Sequence, residues 1–166
     1  MTTSPDNLVL SHRDGGLMWL TLNRADKANA MTVGMVERLT AQLVAAGTDP
    51  SVQAVLLSGA GERVFCAGGD IKAFKSGLQD VPPSAEDVAR GNRSFGDLMI
   101  KLNEQPQAVI MLVEGAAIGG GLGLCCVGDI TIVTRDAKFR LSETSLGIPP
   151  AQIAPFVTER VGLTQA

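Results

Sequence analysis

The sequence predicts an α/β fold in which mostly parallel strands are joined by helical crossovers. Short apolar runs of strand length alternate along the chain with segments whose apolar residues recur every three or four positions. Such alternation is typical of a sheet that is covered on both faces by its connecting helices. The chain has 166 residues, 45% hydrophobic and 19% charged, which suits one domain with a substantial core.

The first half of the chain predicts two strands, a helix and a third strand. The apolar runs 8–11 and 17–22 flank a short glycine turn and therefore predict an antiparallel hairpin. Thr32 is expected to cap a helix, because apolar residues follow it at helical spacing until an Asp-Pro pair ends the pattern. The β-branched run 52–58 predicts the third strand, and a loop is expected to follow as far as Asp70.

The second half continues this alternation and contains no linker or repeat that would divide the chain. Two adjacent prolines interrupt it, and we expect the mobile loop of the protein at that break. The expected elements are, in order, a short helix at 71–77, the break at Val81-Pro82-Pro83, a helix at 84–103, a strand at 108–113, a glycine-led helix at 119–126 and a strand at 130–134.

The charge balance excludes polyanionic partners. Fourteen basic and seventeen acidic residues leave a formal net charge of -3, and no run of Lys and Arg is present to attract nucleic acid or an anionic membrane. No apolar stretch approaches the roughly 18 residues that a membrane span needs, and the first residues lack a secretory pattern. We therefore expect a cytoplasmic protein.

The cysteine and histidine content disfavours several kinds of site. Cys66, Cys125 and Cys126 form no CxxC pair, so buried thiols are expected rather than a disulfide framework or a metal site. The single histidine, His12, falls on the first predicted strand, where it is poorly placed for a Ser-His-Asp or Cys-His mechanism.

Two glycine-bearing turns, 66–70 and 119–121, each follow a buried strand and precede a helix. A helix N-terminus has unpaired N–H groups and the positive end of the dipole, and glycine lets a ligand oxygen come close. The two turns together would form a site with two donors, and tight packing of strand against helix is the alternative for either turn alone. Neither turn fits a phosphate-binding pattern, since no GxxxxGK[ST] is present and Leu124 stands where GxGxxG needs a glycine.

Four segments in order resemble the enoyl-CoA hydratase/isomerase, or crotonase, superfamily. They are LNRADKANAM at 22–31, FCAGGDIK at 65–72, VEGAAIGGG at 113–121, and FRLSE at 139–143 followed by LGIP at 146–149. The resemblance covers essentially the whole chain from Leu8 onward. It implies the crotonase (ClpP-like) spiral of ββα units, here as the N-terminal part only. Residues 1–166 would form the core domain without the family's C-terminal helical region, and the family assembles as trimers or hexamers.

The resemblance also implies functional residues. The backbone amides of Ala67 and Gly120 would donate to the thioester oxygen of an acyl-CoA, and Glu143 would move the proton beside it. The acyl-CoA would lie along Lys27, Ala28, Ala67, Gly68, Gly69, Asp70, Ile71 and Gly120. For Asp70, a capping or loop-fixing role is favoured over a catalytic one.

The chemistry of such a site follows from elementary principles. Moving a proton beside a thioester carbonyl creates an enolate, and preset N–H donors stabilise the oxygen as it becomes negative, each by about 3 kcal/mol. Glu143 is bracketed by Leu141, Leu146 and Ile148 and is expected to lie in an apolar pocket, where it would act as acid and base. A simple surface salt bridge is the alternative interpretation of this glutamate.

One position departs from the pattern of typical hydratases, which have a second glutamate where this chain has Gly123. A single glutamate resembles the isomerases and also a hydratase subgroup that acts on branched, carboxylated enoyl-CoAs. The residues at 143–148 and 151–157, without a Gly-Gly pair near 154–155, look most like the isohexenylglutaconyl-CoA and 3-methylglutaconyl-CoA hydratases.

The leading expectation is therefore an enoyl-CoA hydratase that adds water across the 2,3 double bond. The alternatives are a Δ3,Δ2-enoyl-CoA isomerase and an inactive acyl-CoA-binding fragment. No metal and no cofactor are expected, because coenzyme A is part of the substrate.

Overall fold

The computed structural model describes residues 7–70 and 84–165. Two short 3-10 helices, at Ala25–Lys27 and Glu143–Leu146, accompany the main elements. The strands and α-helices within the described residues are, in chain order, β1 (Val9–Asp14), β2 (Leu17–Leu22), α1 (Val33–Thr48), β3 (Ala54–Gly59), β4 (Val64–Cys66), α2 (Ala85–Asn103), β5 (Ala108–Val113), β6 (Ala116–Ile118), α3 (Gly120–Val127), β7 (Ile130–Val133), β8 (Lys138–Arg140) and α4 (Ala154–Val161).

The strands form two sheets. The larger has the order β1-β2-β3-β5-β7, with β1 antiparallel to β2 and every other pair parallel. The smaller, β4-β6-β8, is parallel throughout. From β3 onward each unit places one strand in each sheet and then forms a helix, in the sequence β3-β4-α2, β5-β6-α3 and β7-β8-α4. The α/β fold class and the spiral of ββα units are thereby confirmed.

Local hydrogen bonds explain where the two long helices begin. The Thr32 side-chain oxygen accepts from the N–H of Met35 at 3.3 Å, as expected for an N-cap. At α2, Ser84 and Asp87 form a reciprocal capping box, in which each side chain accepts a hydrogen bond from the other residue's backbone N–H. Both caps agree with the starts predicted from the sequence.

Helix α3 is apolar around nearly its whole circumference because it is buried in the core on nearly all sides. The three cysteines are free and buried, as predicted. Burial raises the pKa of the Cys66 thiol to about 12 and that of the Cys125 thiol to about 12, because the ionised form loses its hydration. These thiols therefore act as small apolar core residues.

The smaller sheet was not predicted. The expected loop between β3 and Asp70 contains β4, and the strands β6 and β8 lie in segments to which the sequence pattern assigned no element. Each of the three strands has only three residues, which is too short to show an alternating pattern. They form because the turns of the spiral place them side by side.

Several apolar side chains are exposed at the β7 edge of the described residues. Ile130 is 52% exposed and Ile132 is 51% exposed, and Phe139 of neighbouring β8 is 46% exposed. These side chains of β7 and β8 are accessible to solvent in the described residues.

Three expectations lie outside the described residues: the helix at 71–77, the mobile loop at Val81-Pro82-Pro83 and the binding role of Ile71. Among the helices that the structure describes, none combines the length and the apolar character needed to cross a membrane.

Candidate active site

The first glycine turn, residues 67–70, is fixed by backbone hydrogen bonds to residues 28–31. The N–H of Ala67 donates to the Ala28 oxygen at 3.0 Å. The N–H of Met31 donates to the Gly68 oxygen at 2.8 Å, and the N–H of Asp70 donates to the Met31 oxygen at 2.9 Å. The turn is thus held as a short strand-like pairing rather than as a free loop.

This pairing shows which amide of the turn is available to a ligand. The peptide joining Gly68 to Gly69 is trans, so its oxygen and its N–H point in opposite directions. Because the oxygen points at Met31, the Gly69 N–H points the other way. Within residues 7–70 and 84–165 this N–H donates no hydrogen bond. Gly69 also lines a largely apolar pocket. The prediction that Ala67 supplies the donor is wrong, because its N–H is already bound by Ala28.

The second glycine turn supplies a helix N-terminus. Gly119 has φ 54°, a left-handed conformation that glycine adopts without strain, and α3 begins at the next residue. The Gly119 oxygen accepts from the N–H of Gly123 at 3.1 Å, along the direction of the helix. The N–H of Gly120, across the same peptide as that oxygen, therefore points out of the helix end, where the dipole is positive.

Glycine is required for the two turns to meet. Gly68 has φ +87°, and a Cβ there would lie 3.0 Å from the Ile118 oxygen and 3.1 Å from the Gly120 nitrogen. A Cβ on Gly121 would overlap the Cys66 oxygen. The backbones of both turns are therefore in direct contact, and this contact places the Gly120 amide beside the Gly69 turn.

Glu143 lies over the second turn. The N–H of Gly119 donates to the Arg140 oxygen at 2.8 Å, which joins the end of β6 to the end of β8. Glu143 begins the 3-10 helix three residues later, and a Cβ on Gly119 would lie 2.6 Å from its Oε1. The hydroxyl of Ser142 is 3.5 Å from Glu143 Oε2. Among the described residues the carboxylate forms no ion pair, so the salt-bridge alternative is not supported.

Gly69, Gly120 and Glu143 line one pocket of about 190 Å³. Its remaining wall is largely apolar and includes Met31 and the ring of Phe95, which lies 3.1 Å from a Cβ built on Gly120. Two N–H groups and a carboxylate thus border a space whose other polar lining residues, such as Thr32, Asn92 and Gln152, are uncharged. Such an arrangement can stabilise negative charge on a substrate oxygen while a proton moves on or off a neighbouring atom.

Gly123, where typical hydratases have a second glutamate, is closely packed against Ile153. A Cβ at Gly123 would overlap Ile153 Cγ2 and would lie 3.4 Å from the Met99 Cε. No side chain larger than hydrogen fits at position 123 without moving Ile153. Among the described residues that line the pocket, Glu143 is consequently the one carboxylate.

Two of the residues expected to bind the CoA portion, Lys27 and Ala28, adjoin the first turn, where Ala28 accepts a hydrogen bond from Ala67. Lys27 is exposed, and Ala28 is half-buried with φ 53°, but neither lines the pocket. Asp70 accepts a hydrogen bond from Arg24 at 2.9 Å, which agrees with a loop-fixing role. No cluster of three or more potential metal ligands occurs in the described part of the chain.

Sequence reasoning missed Asn29 as a determinant of this geometry. Asn29 is fully buried with φ 52°, and its side-chain amide donates to the oxygens of Ala60 and Val64 at 2.9 Å each. Its side-chain oxygen accepts from the N–H of Arg24 at 2.9 Å. A polar residue between apolar neighbours was the available signal, but its partners lie about thirty residues away in sequence and could not be identified from spacing.

Comparison with known proteins places the chain in a family. The model of the enoyl-CoA hydratase/isomerase family matches residues 17–162. Among solved structures, Pseudomonas aeruginosa AtuE is 49% identical with a TM-score of 0.88, and the match covers 95% of this chain and 60% of that one. An enoyl-CoA hydratase/isomerase from Marinobacter aquaeolei is 43% identical with a TM-score of 0.85, at the same coverages.

Curated relatives have several activities. The 1,2-epoxyphenylacetyl-CoA isomerase of Escherichia coli is 35% identical over 142 residues, which are 86% of this chain and 53% of that protein. The mitochondrial 3-hydroxyisobutyryl-CoA hydrolase of Bos taurus is 32% identical over 142 residues, 86% of this chain and 36% of that protein. The chain therefore spans between about a third and a half of the length of these relatives. The family match, the structural similarity and the spiral of ββα units together show that the chain belongs to the enoyl-CoA hydratase/isomerase, or crotonase, superfamily.

Proposed function

We propose that this chain carries the acyl-CoA site of an enoyl-CoA hydratase, which adds water across the 2,3 double bond of a thioester. The observation on which the proposal depends is that Gly69, Gly120 and Glu143 line one apolar pocket. The N–H groups of the two glycines would bind the thioester oxygen, and the carboxylate of Glu143 would act as base and then as acid.

In the proposed reaction Glu143 first accepts a proton and then returns it, while the two amides stabilise negative charge. Glu143 takes a proton from a water molecule as the water oxygen attacks C3 of the enoyl group. The electron pair of the double bond moves toward the thioester, and negative charge collects on the oxygen held by Gly69 and Gly120. Glu143 then returns the proton to C2, which gives the 3-hydroxyacyl-CoA. No cofactor is needed, because coenzyme A is part of the substrate.

We also propose where the CoA and acyl parts of the substrate bind. The CoA nucleotide would cross the surface near Lys27 and Ala28, adjacent to the first turn. Uncharged polar side chains, Thr32, Asn92 and Gln152, line the pocket together with apolar ones and would accommodate a branched acyl group that carries oxygen atoms. We also propose that the full-length protein assembles as a trimer or hexamer and acts in the cytoplasm.

The second candidate is a Δ3,Δ2-enoyl-CoA isomerase. It is favoured by the packing of Ile153 where typical hydratases have a second glutamate, since an isomerase needs only one carboxylate to carry a proton between C2 and C4. In that reaction the same two amides would stabilise a dienolate, and no water would enter the product.

The test is to incubate the full-length protein with 2-enoyl-CoA and 3-enoyl-CoA thioesters. A hydratase removes the conjugated thioester absorbance of the 2-enoyl compound and raises the product mass by one water. An isomerase creates that absorbance from the 3-enoyl compound without a mass change. If neither thioester reacts while both bind, the chain belongs to a binding-only protein and the proposal is wrong.

Replacing Glu143 tests its role within the same assay. Glu143→Gln should lower kcat by about 10² to 10⁴-fold, because the amide cannot accept and return the proton. The affinity for acyl-CoA should remain within a few-fold, since the donors are unchanged. Glu159→Gln, on the exposed face of α4, is the matched control. Unchanged turnover in Glu143→Gln would exclude this residue as the acid and base.

A further inference from the structure

Arg24 makes two contacts at the edge of the first glycine turn. Its Nη1 donates to the Ala30 oxygen at 2.5 Å and to Asp70 Oδ2 at 2.9 Å. The two charged side chains are 14% and 12% exposed, so this ion pair is largely removed from water. The contrast is with Arg13 and Asp49, a surface pair at 3.2 Å whose side chains are 37% and 44% exposed.

The location of the pair relates it to the Gly69 amide. Asp70 directly follows Gly69, and Ala30 directly precedes Met31, which binds both neighbours of Gly69 through its backbone. The guanidinium of Arg24 thus joins the segments 28–31 and 67–70 at the point where they pair. A shift of Asp70 away from Arg24 would move the peptide that carries the Gly69 N–H.

Backbone pairing with residues 28–31 holds the turn on one side, and the two glycines have no side chains that could fix it on the pocket side. Beyond its chain neighbours, no atom of the described residues lies within 4 Å of a Cβ built on Gly69, whereas the backbone of Gly68 packs against Ile118 and Gly120. Two consecutive glycines have a wide range of accessible backbone conformations. The position of the Gly69 amide is therefore set by its neighbours, and the ion pair between Arg24 and Asp70 is one of the contacts that hold them.

We infer that the Arg24–Asp70 ion pair is a positioning device for the Gly69 donor, one that sets how strongly the site polarises a thioester carbonyl. This inference rests on the proposed function in that Gly69 is taken as an oxyanion donor. Neither side chain of the pair lines the pocket, so both act through the backbone of the turn. Small displacements of such a donor have large effects, because a shift of about 1 Å can reduce a rate by about 10²-fold.

The test uses a chromophoric ligand whose absorbance reports carbonyl polarisation. The absorbance of 2,4-hexadienoyl-CoA should move to longer wavelength when its thioester oxygen accepts hydrogen bonds. The measurement is made in full-length Glu143→Gln protein, so that the ligand is not consumed. Into this background are introduced Arg24→Met, Asp70→Asn and, as the matched control, Arg13→Met, which breaks the surface ion pair instead.

We expect Arg24→Met and Asp70→Asn to lose more than half of the absorbance shift, with Kd changed less than about threefold. With Glu143 present, the same variants should lower kcat about 10- to 100-fold at nearly constant KM. The reason is that the hydrogen bond from the displaced donor is strongest in the transition state. Arg24→Lys should recover part of the shift, since a lysine can still contact Asp70. Arg13→Met should leave the shift and kcat unchanged.

The outcomes separate this inference from the proposed reaction. A full shift in folded Arg24→Met and Asp70→Asn proteins overturns the inference and leaves the reaction standing. A shift that these variants reduce, in a protein whose wild type turns over no enoyl-CoA, supports the inference and overturns the reaction. Absence of any shift in the Glu143→Gln parent overturns both. Should Arg24→Met fail to fold, the near-isosteric Asp70→Asn and the conservative Arg24→Lys decide the question.

Discussion

Gly119 illustrates how one residue without a side chain determines the site. Its φ of 54° is a conformation that other residues adopt only with strain, and its missing Cβ leaves the space that Glu143 Oε1 occupies. The same residue donates its N–H to the Arg140 oxygen and directly precedes Gly120, the proposed donor. Backbone conformation, carboxylate position and donor position therefore all depend on glycine at this point.

Gly119→Ala should combine a loss of activity with a loss of stability. The added methyl would displace the Glu143 carboxyl group, and the left-handed backbone would cost about 1 kcal/mol in stability. Gly15→Ala is the matched control, because Gly15 has φ +57° and nothing lies within 4 Å of its Cβ position. The control should lose similar stability in a denaturant titration while keeping kcat. Equal kcat in both variants would contradict the position assigned to Glu143.

At the residue scale, the sequence predicted part of the site. The similarity to family motifs identified both turns and Glu143. It did not identify which amide of the first turn is free, because this depends on the pairing of residues 67–70 with 28–31. Ala67 was chosen from its place in the motif, but the trans peptide before Gly69 directs that residue's N–H away from Met31.

At the scale of elements, α3 connects the core to the site. Its N-terminus presents Gly120, and beyond its C-terminus Arg160 of α4 donates through Nε to the Cys126 oxygen at 3.0 Å and through Nη2 to the Gly128 oxygen. A cation at this end complements the negative end of the helix dipole. Thus α4 supports the helix whose N-terminus presents Gly120, the proposed donor.

The capping box of α2 predicts a pH-dependent contribution to stability. Hydrogen bonds from Ser84 hold the pKa of Asp87 below its ordinary value of 3.8, with Arg90 assisting. A lowered folded-state pKa stabilises the protein above the unfolded pKa, and this stabilisation is lost as pH falls through the folded value. Ser84→Ala should lower Tm by about 2–4 °C at pH 7, with a smaller difference from wild type below pH 3.8.

Thermal unfolding of both proteins at several pH values measures this difference. Thr40→Ala, at a half-buried position of α1 away from any cap, serves as the reference variant. A Tm difference between wild type and Ser84→Ala that grows as the solution is acidified would contradict the assigned hydrogen bonds.

The elements that the sequence predicted differ physically from those it did not. The strands β2, β3 and β5 have six residues each with apolar runs, and α1 and α2 have caps and periodic apolar positions, so local signals were present. The three-residue strands β4, β6 and β8 have no local signal, because they form through contacts between successive turns of the spiral. They matter because the two glycine turns and Glu143 follow their carboxyl ends.

At the scale of the whole molecule, the buried thiols report the integrity of the core. Because burial raises the pKa of Cys66 and of Cys125 to about 12, almost no thiolate is present in the folded protein at pH 8. Both should resist a thiol reagent in the native state and react once the chain is unfolded. Peptide mapping after timed labelling identifies the modified residues, and rapid native labelling of Cys66 would contradict the described packing.

The same thiols predict the behaviour of the protein in alkali. Their folded-state pKa values lie above the ordinary value of 9.0, so the protein should lose stability as pH rises from about 9 toward 12, where only the unfolded chain can ionise them. Replacing Cys66 by alanine should reduce this dependence in denaturant titrations. An unchanged dependence in the variant would show that other groups cause it.

For the proposed chemistry to occur, Gly69 and Gly120, rather than Ala67, must hold the thioester oxygen beside Glu143. A crystal structure of the full-length protein with a non-reacting acyl-CoA tests this most directly. We predict both glycine nitrogens at about 2.7–3.1 Å from the thioester oxygen, with the Glu143 carboxylate in contact with the adjoining carbons of the acyl chain. A thioester oxygen bound by any other pair of donors, or a Glu143 carboxylate turned away from the acyl chain, would contradict this assignment.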